Sequence, residues 1–185
     1  MGTRSCVATI GTQLTAVISN LLDASSTGTP QASLGKASTQ AIIQSGTGAG
    51  QANRFWSDRG RTLESAATET LDLYDFAGID VGAGAAKDAL GQDMVLADIV
   101  AIIVEVTAAS AGTLLVGGDG TAAAWNSPFN GDDAAVMPVF PGGLILLYAP
   151  TDPAYAVADA SNHLLKFTAS GGAVEYDIHI LGRSS

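Results

Sequence analysis

Two histidines and one cysteine are the only side chains in this 185-residue sequence that titrate near neutrality or act as soft nucleophiles. His179 has the most suggestive surroundings, in the run Val174 to Ile180, VEYDIHI. In an extended chain residues two apart project to one side, so Glu175, Asp177 and His179 share a face. Three such groups could ligate a metal ion or hold a general base. A solvated outer strand face produces the same pattern, and that reading is preferred. His163 follows Asn162 in a loop at the start of a strand. Cys6 lies near the start of the chain with no sequence signal for a positioned base, and a lone cysteine excludes an intrachain disulfide. Asp132 and Asp133 are adjacent and diverge in an extended chain, which is unlike the facing carboxylates of a glycosidase.

Several glycine-rich runs imitate nucleotide loops. Ser45 to Ala52, SGTGAGQA, contains G-x-G-x-G, but no helix after it is evident to aim amides at a phosphate and no Gly-Lys-Ser/Thr follows. Val81 to Lys87, VGAGAAK, lacks the third glycine of the dinucleotide fingerprint and a βαβ setting. Gly117 to Gly120, GGDG, occurs once, whereas calcium-binding nonapeptide architectures stack many copies. Asp72, Asp75, Asp80, Asp88 and Asp93 lack the spacing of a calcium loop. No catalytic residue, cofactor or metal ligand is therefore assigned, and the chain is expected not to be an enzyme.

The elements that would carry any site are strands. Asp93 to Val106, DMVLADIVAIIVEV, is nearly unbroken apolar sequence rich in Val and Ile. Both of its faces are apolar, as in a central strand covered on both sides, and β-branching favours strand over helix. Asp98 inside it requires an irregularity or a partner. From Met94 onward strands recur with Gly/Pro turns between them: Thr113 to Val116, Ala135 to Phe140, Gly143 to Ala149, Ala154 to Ala158, Leu164 to Thr168 and Val174 to Ile180. In the last, Val174, Tyr176, Ile178 and Ile180 should face inward. Arg61 to Leu73 fits two short strands around a Ser-Ala-Ala turn. Upstream, Val7 to Ile18 alternates like a strand, although a helix from Thr12 to Leu22 is compatible with it. Asp23 to Leu34 reads as loop, Ala41 to Gln44 as a short strand, and Ser45 to Ala52 as linker. The fold class expected is all-β, an antiparallel β-sandwich or jelly roll. Residues 1–52 form an extended N-terminal arm with its Gly-rich linker and residues 53–185 the sandwich domain.

Composition bears on partners. Apolar residues are 47% and charged residues 14%, against a usual charged share of about 25%. Either subunits cover much of the surface, or the chain is simply a small-residue β-domain biased to Ala and Gly. A net charge of −10 with eight scattered basic residues argues against nucleic acid. Arg54, Arg59 and Arg61 make one local cluster, with Asp58 inside it. No segment reaches the ~18 uninterrupted apolar residues of a membrane helix. The first residues lack a secretory core, and Cys6 stands where a myristoylation motif wants Ser or Thr. A soluble protein without membrane contact or export address is expected. Phe55 and Trp56 either plug the core or anchor the arm to another subunit; Trp125 and Phe129 are either a lid over the core or a contact patch. These four are the candidate interface residues.

One resemblance spans residues 53–185. Its features, in order, are Arg61-Thr62-Leu63 and Glu69 to Leu73, then the aliphatic strand Ile99 to Val106. The leucine strand entering a Gly-Gly turn follows (Leu114 to Gly118), then Trp125-Asn126 and Pro141 to Pro150, and the chain closes on VEYDIHILG, Val174 to Gly182. This pattern resembles small virion proteins of tailed bacteriophages, of the head decoration or cement type. The resemblance implies a sandwich that binds the exterior of an icosahedral capsid, contacts the major capsid protein, self-associates, often as a homotrimer, and stabilises the shell without catalysis. The competing expectation is a head- or tail-fibre component or a carbohydrate-binding β-sandwich module, with Trp125 and Phe129 as a sugar platform.

Overall fold

A computed structural model describes residues 7–19, 31–76, 87 and 93–184. The chain is all-β, with one 3₁₀ turn at Ser127–Phe129 among the described residues. It divides into two compact units, Val7–Ile43 and a body that includes Gln44–Ser185. The Gly-rich stretch 45–52 thus belongs to the same unit as the sandwich. Cys6, the Val81 to Lys87 motif apart from Lys87, Asp80 and Asp88 lie outside the described residues.

The first unit is a β-ribbon. β1 (Ala8–Ser19) runs antiparallel to β2 (Gln31–Ser45). The loop expected from Asp23 to Leu34 is strand at Gln31 to Leu34, its earlier residues lying outside the described ones, and the strand expected at Ala41 to Gln44 is the end of one long strand. Its sequence hid it because the apolar positions change phase: Ala32 and Leu34 are even, whereas Ala37, Ala41 and Ile43 are odd. The register absorbs that flip. Leu14 pairs with Ala37, yet Ala16 pairs with Leu34, so β2 carries one extra residue at Gly35-Lys36. Across the bulge Ile10, Leu14, Ala16 and Ile18 pair in register with Ala41, Ala37, Leu34 and Ala32.

The body is a sandwich. β3 (Gln51–Ala52) pairs with the end of β2. One sheet runs β10 (Tyr155–Ala156), β6 (Asp98–Val106), β12 (Val174–Arg183), β4 (Arg54–Leu63), with β9 (Leu144–Tyr148) also on β6. The other runs β5 (Thr68–Asp72), β11 (Leu164–Ser170), β7 (Thr113–Gly117), β8 (Val136–Val139). Between them lies the core, in which Val174, Tyr176, Ile178 and Ile180 of β12 meet Leu165 and Phe167 of β11. The alternation expected for the last strand is observed. β6 lies centrally in its sheet, between β12 and β9/β10, and is strand through Ile99 to Val104. The connections β6–β7 and β11–β12 cross between the sheets side by side. A Cβ on Gly112 would lie 2.3 Å from the Gly172 carbonyl oxygen, so this crossing requires glycine.

Strict alternation would place Asp98 on the same face as Ile102 and Val104, in the core. A bulge prevents it. Leu181 pairs with Ala101 and Gly182 with Ile99, which leaves Val100 without an opposite residue. Ile99 thereby joins the core, and Asp98 turns to Arg183, its direct cross-strand neighbour. Arg183, 2% exposed, donates from Nε to Asp98 Oδ1 (2.8 Å), from Nη1 to the Gly48 carbonyl (2.8 Å) and from Nη2 to the Thr151 carbonyl (2.6 Å). The predicted linker is therefore a fixed loop: Gln44 N donates to Gly50 O, Gly48 N to the Gln51 side chain, and Arg183 holds the apex. A buried charge whose partner is deleted costs about 3–5 kcal/mol, whereas apolar replacement of both partners is often neutral. Asp98→Ala should accordingly lose about 3–5 kcal/mol in urea unfolding, and Asp98→Leu with Arg183→Met should recover most of it. Equal losses in the single and double variants would show that the pair is not the stabilising unit.

Candidate functional site

Glu175, Asp177 and His179, the most suggestive group in the sequence, lie on the outer side of β12, beside β4. Register puts His179 opposite Ser57 and Asp177 opposite the Arg59–Gly60 segment. His179 Nδ1 and Ser57 Oγ are 2.8 Å apart, a serine–histidine pair that only the β4–β12 pairing reveals. A working dyad needs a third group orienting the histidine from its other nitrogen. Asp177, the nearest candidate in sequence, is used elsewhere. Its Oδ1 accepts the Gly60 amide at 2.8 Å and its Oδ2 accepts Arg59 Nε at 3.1 Å. The reason is local: Tyr176 pairs with Arg61 and Ile178 with Asp58, so β4 bulges by one residue opposite Asp177. Gly60 takes φ +68°, the left-handed geometry such a bulge demands. Glu175 remains exposed, with its backbone amide bonded to Ser110 Oγ. The three outward residues thus share a face without converging on a common point, and no cluster of three metal-ligating side chains occurs among the described residues.

The remaining sequence candidates are structural. Asp132 Oδ1 accepts the Ala134 amide and Asp133 Oδ1 accepts Asn126 Nδ2, so the adjacent carboxylates diverge into two turns. His163 anchors backbone: its carbonyl accepts from Leu73 N and its amide donates to Ala123 O, while Nε2 stands 3.7 Å from Asp72. Trp56 and Trp125 are in the core, at 6% and 2% exposure. Trp56 tilts against Phe76 at 5.1 Å, and Trp125 donates from Nε1 to the Ala156 carbonyl at 3.0 Å. They take the plug and lid alternatives. Phe129 is half-buried with its ring under Gly117, where a Cβ would lie 2.7 Å from it. Phe55 is the exposed member of the four, at 38%.

Sequence reasoning missed the polar cluster between the sheets. Arg61 on β4 donates from Nη2 to Glu69 Oε2 (2.6 Å) and from Nε to Glu69 Oε1 (3.2 Å) on β5. A third bond joins Arg61 Nη1 to Asp58, and the Tyr176 hydroxyl donates to Glu69. The bidentate Arg61–Glu69 pair therefore bridges the edges of the two sheets. Behind it lies a cavity of about 150 Å³, lined by Thr70, Phe167 and Tyr176 among others. The Glu69 carboxylate holds the Arg61 guanidinium protonated even beyond its usual range, against the effect of burial. Burial, reinforced by Glu69, pushes the Tyr176 hydroxyl far above the phenol range. Every charge here is spent on a neighbour, which makes the cluster a clasp rather than a reactive centre. The signal that could have found it was weak: one basic and two acidic residues, Arg61, Glu64 and Glu69, with no indication of Tyr176.

Comparison with protein-family models, curated proteins and solved structures finds no match for this chain.

Two predictions follow from these contacts. Tyr176→Phe removes a hydroxyl that satisfies Glu69 and should cost about 1–2 kcal/mol in thermal unfolding; no change would mean that water replaces it fully. The Gly60 amide, followed by Arg59, holds the Asp177 carboxyl below its ordinary range. Such a group stabilises the fold above its unfolded-state value, and that stabilisation is lost as pH falls through the lower folded value. Asp177→Asn should cost on the order of 1 kcal/mol at neutral pH. The gap from wild type should close in acid, below the usual carboxylate range; a gap that is independent of pH would refute the assignment.

Proposed function

We propose that this protein is a tailed-bacteriophage virion component that binds the exterior of the capsid and stabilises it, as a decoration or cement protein. On this reading it contacts the major capsid protein and self-associates, as a homotrimer on the resemblance carried by residues 53–185. The observation that supports it best is the β1–β2 ribbon. A two-stranded hairpin alone is marginal in water, and this one pairs from Ala8–Ile43 to Ser19–Gln31 within a unit of its own, Val7–Ile43. A long ribbon of this kind suits a chain whose arm is stabilised by lying on another surface. The sparse charge of the chain fits close subunit packing, and many copies multiply a modest contact energy over a shell. The sugar-binding alternative loses its platform, because the Trp125 ring is in the core.

The deciding experiment mixes the full chain with purified expanded and unexpanded phage heads. Co-sedimentation with expanded heads and a raised head melting temperature are expected. A chain that stays in the supernatant at all concentrations, with head melting unchanged, removes the reading.

A further inference from the structure

The sandwich has two lateral sides of opposite character. On one, β4 and β5 are guarded by charge: Asp58, Arg59, Arg61 and Glu69 are ion-paired there, and the bulge at Gly60 distorts the β4 edge. Such devices keep an edge strand from pairing with another chain. On the other side β8 turns through Phe140-Pro141-Gly142-Gly143 into β9. From Ala134 to Thr151 the sequence has no Asp, Glu, Lys or Arg. β8 carries Pro138, which blunts its edge. β9 carries no proline, no charge and no bulge, and among the described residues it pairs with β6 alone. Ile145 and Leu147 of β9 pack on the core, whereas Leu144 is 62% exposed, and Phe140 in the turn before it and Val136 at the start of β8 are 65% and 46% exposed. Leu146 and Tyr148, on the same face as Leu144, are half-buried.

We infer that this side, β9 with the Phe140 turn, is the surface through which copies of the chain bind one another. The occupant follows from charge. Two copies at −10 each repel wherever acidic surface meets acidic surface, and an uncharged strip is where they approach without that penalty. A partner recruited by charge would instead meet the acidic remainder of the molecule. Packing this side against the same side of a neighbour removes Phe140 and Leu144, the two most exposed large apolar side chains among the described residues of the body, from water and covers the open β9 edge. The inference rests on the self-association part of the proposed function and is independent of shell binding.

The test is the association state of the full chain by sedimentation equilibrium, with wild type, Leu144→Glu/Phe140→Glu and the opposite-side control Thr62→Glu. Burying an unpaired carboxylate should weaken association at least ~10-fold in the double variant, with circular dichroism and urea midpoint unchanged and the control like wild type. If the double variant unfolds, Leu144→Ser provides the same comparison with a milder change. A wild type that is monomeric at every concentration overturns both the inference and self-association. An oligomer unaffected by the variants overturns the inference alone and leaves the functional reading intact. Variants that remain oligomeric but no longer pellet with phage heads would make this side the shell contact and overturn the inference.

Discussion

The buried pair of Arg183 and Asp98 closes the body of this protein. Four separate pieces of chain meet at one guanidinium: the start of β6, the end of β12, the Gly-rich loop at Gly48 and the segment at Thr151. The guanidinium suits the task because its planar fork offers several donors in fixed directions. Two charges at 2% and 8% side-chain exposure are costly to desolvate. They are tolerable here because the carboxylate and two carbonyls surround the cation. The bulge at Val100 makes the arrangement possible, since it rotates Asp98 out of the core as it brings Ile99 in.

Polar side chains elsewhere follow the same logic. Arg61 and Glu69 clasp one lateral side of the sandwich, Asp177 closes the bulge at Gly60, and Asp132 and Asp133 shape turns. Among the described residues most of the charged groups that make hydrogen bonds satisfy nearby backbone or one another. The chemistry-bearing residue types therefore serve as fasteners. Among the described residues the distinctive surface is apolar, the uncharged β8–β9 side. Assembly is accordingly the function proposed.

Much of the sandwich was legible because period-two patterning survives wherever one face is buried. Val174 to Ile180, Leu164 to Thr168 and Ile99 to Val106 carry enough aliphatic side chains for the alternation to be read directly. The ribbon was not legible. Its second strand is composed of Ser, Thr, Gln, Gly and Ala, residues that also make loops, and its apolar phase flips at Gly35-Lys36. A local pattern cannot reveal a bulge that only the partner strand defines.

The candidate site divides along the same line. Residue types and local spacing established the all-β class, the inward face of the last strand, the need for a partner at Asp98 and the absence of charge from Ala134 to Thr151. Pairing in space supplied the rest. Asp98 found Arg183 at a sequence separation of 85, Tyr176 found Glu69 at 107, and Ser57 found His179 at 122. It also put the two tryptophans in the core, where each aromatic ring could have served equally well as plug or contact. Side-chain alternation is a property of the strand itself and can be read along the chain. Partnership across strands depends on register, which bulges reset at Gly60 and Val100, and no one-dimensional pattern carries it.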